Sequence, residues 1–304
     1  TYCLAVDSSG ALYVGSYNGT VHNSTDKGKT WQVLKIQAKY PTTVTALAAN
    51  ARGDLFAWID DFGVFRSQDR GKNWEHIFSY KRNLPWDEIK RFALVDDSTL
   101  FTATYDGLIF HSVDYGTSWV QAGVIPGVNT FSRLPGGKIV AGYVRQGGGG
   151  LYEYIPETNS WKLYYDGEYS IYQELCTDLD GVMYALSKTL VRSFDGGRSW
   201  HSIGGYKGVW HYATVCVSGK YVIASAADGV HRSSDRGTTW EKGDVEISNH
   251  LGMCLTVTPS GRVLTGTSNG IYGSDNHGDT WQLLGCIDSL VLSLFVTPAA
   301  TYLS

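Results

Sequence analysis

Eight residues, Ser233-Ser234-Asp235-Arg236-Gly237-Thr238-Thr239-Trp240, recur along this chain in close copies, and their spacing constrains the fold more than any other feature. Copies run from Ser24 to Trp31, Ser67 to Trp74, Ser112 to Trp119 and Ser193 to Trp200. A further copy, Gly273 to Trp281, reads as the same motif with one residue inserted, and a weaker one, YIPETNSW, ends at Trp161. Successive closing tryptophans stand from 39 (Trp161 to Trp200) to 45 (Trp74 to Trp119) residues apart. Self-similarity at a period near ~40 residues marks a repeat architecture.

Each copy has a physical reading. Asp26, Asp69, Asp114, Asp195, Asp235 and Asp275 open a tight turn, where a carboxylate accepts hydrogen bonds from the amides just ahead of it. The glycine that follows supplies a positive φ without steric cost. Trp31, Trp74, Trp119, Trp200, Trp240 and Trp281 then fold back under the turn and bury their rings. The acidic residues of the motif are therefore expected to be structural.

The stretches between motifs complete the plan. In the first repeat, Tyr2 to Asp7, Leu12 to Ser16, Thr20 to Ser24 and Trp31 to Ile36 read as strands, separated by Ser8-Ser9-Gly10, by Tyr17-Asn18-Gly19 and by the motif itself. Four antiparallel strands per ~40 residues is the blade of a β-propeller. The sequence predicts an all-β, seven-bladed β-propeller in one domain, with blades at roughly 1–36, 37–79, 80–122, 123–165, 166–204, 205–244 and 245–285. The fourth repeat, whose second turn grows into a loop from Val144 to Gly150 with four consecutive glycines and whose motif has neither Asp nor Gly, is expected to be the least regular blade. Leu290 to Val296 and Tyr302-Leu303 repeat the start of the pattern, so 286–304 is a surplus half-blade or closure segment. It fits an eighth blade completed elsewhere, a replacement for the N-terminal strand, or an added edge strand.

The pattern SxDxGxTW resembles the Asp-box, or bacterial neuraminidase repeat (BNR). That repeat occurs in sialidases, xyloglucanase-type glycoside hydrolases, sortilin-type receptors and photosystem II assembly factors. The resemblance covers nearly the whole chain and implies a propeller whose ligands lie on the face away from the Asp-boxes. Because the repeat serves enzymes, receptors and scaffolds alike, it leaves function open. Departures from the sialidase pattern are the missing FRIP-like stretch before the first box and a count of seven blades instead of six. Arg66, Arg192 and Arg232 always precede the box serine, which marks them as repeat features rather than a carboxylate-gripping set.

Composition removes several classes of function. A formal net charge of −4 without a basic stripe argues against nucleic acid. No apolar run approaches the ~20 residues of a membrane helix, so no membrane insertion is expected. The sequence opens on Thr1 with no signal-peptide pattern, as in a processed or excerpted chain. Cys3, Cys176, Cys216 and Cys254 fall on first strands and Cys286 follows the seventh motif, without metal-ligand spacing. They read as small buried side chains, with Cys3 and Cys254 the one pair that ring closure brings into adjacent blades. No metal and no cofactor are expected. Asn18 and Asn23 match the glycosylation acceptor pattern but overlap turn residues.

Recognition is expected on the face formed by second turns and inter-blade connections, which are rich in aromatics. The candidate ligand-binding residues are Tyr40, Trp86, Arg91, Tyr143, Arg145, Tyr169, Tyr172, Trp210, His211 and His250. Flat rings beside amide, carboxylate and guanidinium groups suit a sugar or a peptide. A glycosidase would instead need two carboxylates about 5–10 Å apart. The candidates are Asp60, Asp61, Asp87, Glu88, Asp106, Asp166, Glu168, Glu174, Asp228, Asp244 and Asp288. The reading is a non-catalytic binding or scaffold propeller for a protein or glycan ligand, extracellular or periplasmic, a monomer or part of a larger multidomain chain. The alternative is a glycoside hydrolase.

Overall fold

A computed structural model describes residues 3–16, 18–37, 43–59, 62–80, 89–169, 171, 175–203, 212–226, 228–243, 252–258, 260–267, 270–285 and 293–296. Residues 89–90, 212–213, 252–253, 285 and 293–296 are described by their backbone alone. Each repeat forms one antiparallel sheet in which sequence neighbours pair, giving seven blades of a β-propeller. The first blade consists of Cys3–Val6, Leu12–Gly15, Thr20–Ser24 and Gln32–Lys35. Its inner two strands are wholly buried, whereas the fourth is mostly exposed. That gradient explains why inner strands read as unbroken apolar runs and outer strands do not.

The apolar core lies between blades, not within them. One cluster joins Tyr13, Val21 and Ile36 of the first blade to Leu47, Leu55 and Ile59 of the second. Another joins Leu4, Val6 and Val14 to Leu264, Ile271 and Leu284 where the seventh blade meets the first. The other junctions are filled in the same way.

The box geometry is regular. In the first blade the Ser24 hydroxyl donates to Asp26 Oδ1 (2.8 Å) and accepts the Gly28 N–H (2.8 Å), while the Thr30 amide and hydroxyl donate to the two carboxylate oxygens (2.9 and 2.6 Å). Trp31 Nε1 donates to the Gly28 carbonyl at 3.1 Å. The same bonds recur around Asp69, Asp114, Asp195 and Asp235. The residue before each box glycine is also left-handed, including Lys27 (φ 63°), Arg70 (φ 60°), Tyr115 (φ 61°) and Arg236 (φ 61°), which the motif does not advertise.

The seventh box corrects the sequence reading. Asn276, not Asp275, takes the carboxylate's place: Ser274 donates to its Oδ1 (2.9 Å), the Thr280 amide does likewise (2.9 Å), and its Nδ2 donates to the Thr280 hydroxyl (2.9 Å). There is no insertion, because Ser274, Asn276, Gly278, Thr280 and Trp281 hold the standard spacing. Asp275 faces Arg262 instead, with Oδ1 at 3.2 Å from Nε.

Hydrogen bonds from the Thr30 hydroxyl and amide hold the Asp26 carboxyl at about 2, and those from Thr239 hold Asp235 at about 2. A folded pKa below the unfolded one contributes stability that is present above the usual carboxylate range near ~4 and is lost as pH falls toward ~2. The melting temperature is therefore expected to be level above about pH 5 and to fall below it. Asn276 supplies the matching variant. Replacing Asp26, Asp69, Asp114, Asp195 and Asp235 together by Asn should flatten this acid limb in melting curves taken from pH 6 to 2. An unchanged limb would show that other groups govern it.

Two further braces were not read from the sequence. At the first turns, Asp7 Oδ1 accepts the Ser9 and Ala11 amides (2.9 and 3.0 Å), and Tyr13 donates to its Oδ2 (3.2 Å). Asp178 does the same in the fifth blade with Tyr184 as the donor, and in the second blade Asn50 Oδ1 accepts the Arg52 and Asp54 amides (3.1 and 2.8 Å) without a tyrosine. The repeated arginines reach into the next blade's box: Arg66 donates to the Tyr115 carbonyl (3.0 Å), Arg192 to the Arg236 carbonyl (2.6 Å), and Arg232 pairs with Asp279 (2.8 Å).

The fourth blade, the one without a box, departs from expectation at its second turn. Its strands Gly148–Ile155 and Ser160–Gly167 are the longest described, and the glycines lie within the second hairpin rather than in a wide loop. A Cβ at Gly148 would sit 2.1 Å from the Gly167 carbonyl oxygen, and one at Gly150 would sit 1.9 Å from that of Tyr165. The glycines thus let neighbouring strands close in. In place of a box, Asn159 (φ 47°) accepts the Tyr154 hydroxyl at 2.9 Å, and the Trp161 indole N–H is buried without an acceptor.

Of the surplus segment, the described residues Ser293–Val296 form an added edge strand. Ser293–Val296 pairs in parallel with Cys3–Val6, on the channel side of a blade that already has its four strands. Cys3 Sγ donates to the Val44 carbonyl (3.4 Å) and Cys254 Sγ to the Gly266 carbonyl (3.9 Å), so each thiol is turned to its own acceptor and they form no disulfide. Cys286 lies outside the described residues. Asn23 is a strand residue whose amide donates to the Leu12 carbonyl (3.2 Å), while Asn18 is exposed in its turn.

Candidate ligand-binding face

Second turns and inter-blade connections emerge opposite the boxes, because the boxes join third to fourth strands. On this face the fourth blade carries a built cluster. Tyr143, Gly150 and Asp166 stand abreast on its second, third and fourth strands. With no side chain at Gly150, the Tyr143 hydroxyl reaches across to donate to Asp166 Oδ1 at 2.7 Å. Arg145 donates to the same oxygen through Nη2 (2.7 Å) and Nε (3.2 Å). The Tyr143 ring is buried 5.1 Å from that of Tyr152, whereas half of the Arg145 side chain remains accessible.

The electrostatics follow from this packing. Arg145 first, and then the Tyr143 hydroxyl, hold the Asp166 carboxyl below the usual carboxylate range. Burial, reinforced by Asp166, pushes the Tyr143 phenol up to about 12. Asp166 is a fixed anion and Tyr143 a fixed donor, with Arg145 presenting N–H groups to solvent. Such a trio has the donors and the acceptor with which a polar ligand could be oriented. A phenol this hard to ionise is the reverse of a primed nucleophile.

The other candidates are dispersed. Arg91 is half-buried between blades, donating to the Asn129 carbonyl and, at 3.0 Å, to Asn129 Oδ1, and desolvation lowers its pKa. Tyr169 packs with Tyr164 and Tyr165 against the core between the fourth and fifth blades, and the Tyr164 hydroxyl donates to the Gly196 carbonyl (2.8 Å). Tyr105, by contrast, is 59% exposed at the second turn of the third blade. Tyr40, Trp86, Tyr172, Trp210, His211 and His250 lie outside the described residues, as do Asp60, Asp61, Asp87, Glu88, Glu174, Asp244 and Asp288.

Among the described acids of this face, Asp106 accepts the Thr104 hydroxyl, and Asp228 lies between His231 Nε2 (3.1 Å) and Lys242 Nζ (3.4 Å). His231 is fully buried, and burial lowers its pKa against the pull of Asp228. This pairing escaped the sequence reading, although an Asp at a second turn followed three residues later by His was its available signal. No group of three or more His, Cys, Asp or Glu residues suited to a metal occurs among the described residues, and no described helix is long and apolar enough to cross a membrane.

The family model for the BNR-Asp box repeat matches residues 64–77. Among solved structures the chain is similar to YCF48 bound to D1 peptide, at 15% identity and a TM-score of 0.69, over 88% of this chain and 90% of that one. It is similar to the extracellular domain of a putative hybrid two-component system from B. thetaiotaomicron, at 16% identity and a TM-score of 0.65, over 86% of this chain and 36% of that one. It also resembles the GH74 xyloglucanase from Xanthomonas campestris, at 18% identity and a TM-score of 0.60, over 88% of this chain and 50% of that one. At these identities the likeness is one of fold. No curated protein matches the sequence.

Proposed function

Since the chain is a seven-bladed Asp-box propeller, a fold that serves binding proteins and hydrolases alike, we propose that it is a non-catalytic platform that binds a protein or glycan ligand on the face opposite the boxes. The observation that carries this reading is the Tyr143–Arg145–Asp166 cluster, whose carboxylate is held ionised by its own neighbours. A glycosidase acid needs the opposite environment, one that raises its pKa. A peptide is the favoured ligand, because an accessible guanidinium beside a fixed carboxylate offers both a donor fork and an acceptor to a main chain. YCF48 bound to D1 peptide is a like-folded example of peptide binding, and the B. thetaiotaomicron domain supports an extracellular or periplasmic setting.

The test is a screen of peptide and glycan arrays with the chain, alongside hydrolysis assays on the same glycans. Arg145→Ala is expected to weaken the captured ligand about tenfold or more, the usual scale for losing an interfacial arginine, with little change in melting temperature. Tyr172→Ala and Trp210→Ala extend the comparison to the connections. Turnover of any glycan, or binding indifferent to all three substitutions, would overturn the proposal.

A further inference from the structure

The channel edge of the first blade has properties that ring closure alone does not require. Blade one already holds four strands from its own repeat, so Ser293–Val296 completes nothing. It is added through its main chain, with Cys3 opposite Ser293, Leu4 opposite Leu294, Ala5 opposite Phe295 and Val6 opposite Val296. It pairs in parallel, whereas the blades' own strands pair antiparallel throughout. The strand also lies against the inner strands of the blades on either side, Val44–Ala49 and Gly252–Val257. The floor of this groove is therefore a strand edge with main-chain donors and acceptors, and its walls are strands. Cys3 to Val6 beneath it are almost wholly buried, which holds that edge rigid.

We propose that this edge is a strand-acceptor site for an extended peptide of another protein, and that Ser293–Val296 is its tethered resident. Main-chain pairing at a sheet edge accepts many sequences, and alternate side chains set the preference. The resident shows what the groove takes: a short, uncharged run, Ser-Leu-Phe-Val, that is mostly apolar. The four pairs formed by the described residues are a modest contact that tethering strengthens through effective concentration, so a better-matched peptide can displace them. The site is separate from the rim cluster of Tyr143, Arg145 and Asp166.

The probe is a labelled synthetic peptide of residues 290–297, added to the full chain and to its Leu294→Pro variant. Proline has no N–H and is excluded from a paired strand interior, so the variant's own strand should leave the edge. Uptake of one peptide per variant chain is expected, with at least tenfold weaker uptake by the unaltered chain and none of a peptide carrying the same proline. A photocrosslinker at the position of Phe295 should label the neighbourhood of Ala5. A folded variant that takes up no peptide would overturn the proposal. So would a variant that does not fold, since the strand would then be framework. Concentration-dependent dimers of the unaltered chain would also overturn it, by naming a second copy as the occupant.

Discussion

Replacing Trp200 by alanine is expected to cost about 3–5 kcal/mol, the largest effect of any single box substitution apart from its counterpart in the seventh blade. The ring is 6% exposed, and its Nε1 donates to the Gly197 carbonyl at 3.1 Å. It also packs into the core shared by the fourth and fifth blades, with Leu151, Ile171 and Met183. Truncation would empty that volume and leave a buried carbonyl without its donor. Trp31, Trp74, Trp119 and Trp240 make the same bond but are only partly buried, so their losses should be smaller. Urea melts of the series would measure this, and equal losses at Trp200 and Trp119 would refute the burial argument.

Gly150→Val should be comparably disruptive, and it separates stability from recognition. A Cβ at this position would fall 1.9 Å from the Tyr165 carbonyl oxygen, far inside contact distance, so the outer strand must move away. Overpacking of this kind costs about 1–3 kcal/mol or more. The same movement carries Asp166 from Tyr143 and Arg145, so ligand binding should fall with it. Gly136→Ala is the control: no atom lies within 4 Å of its Cβ position, although its φ of 83° adds modest strain. Binding retained by a folded Gly150→Val protein would remove the cluster from the proposed site.

The ring was legible because each box repeats a local hydrogen-bond unit whose residues are adjacent in sequence. Asp26, Gly28 and Trp31 need only one another, so spacing reveals them. Asn276 was misread because an aspartate stands beside it, and the amide performs the same accepting role. The four-glycine run suggested a loop, since glycine frees the backbone. Gly148 and Gly150 instead answer a demand from the facing strand, which local sequence does not display. Arg145 and Tyr143 were named as site residues, yet their joint partner Asp166 lies two strands away and entered only as one acid among many. The placement of Ser293–Val296 was equally hidden, because a first-strand pattern does not say which edge receives it.

Because apolar residues meet between blades, every blade is half of two separate interiors. A chain divided after the fourth blade would yield two fragments, each ending in two complementary greasy faces and neither able to cover them alone. Such halves should find each other in solution and rebuild the circle, docking at both joints at once, so that two individually weak handshakes combine into one durable embrace.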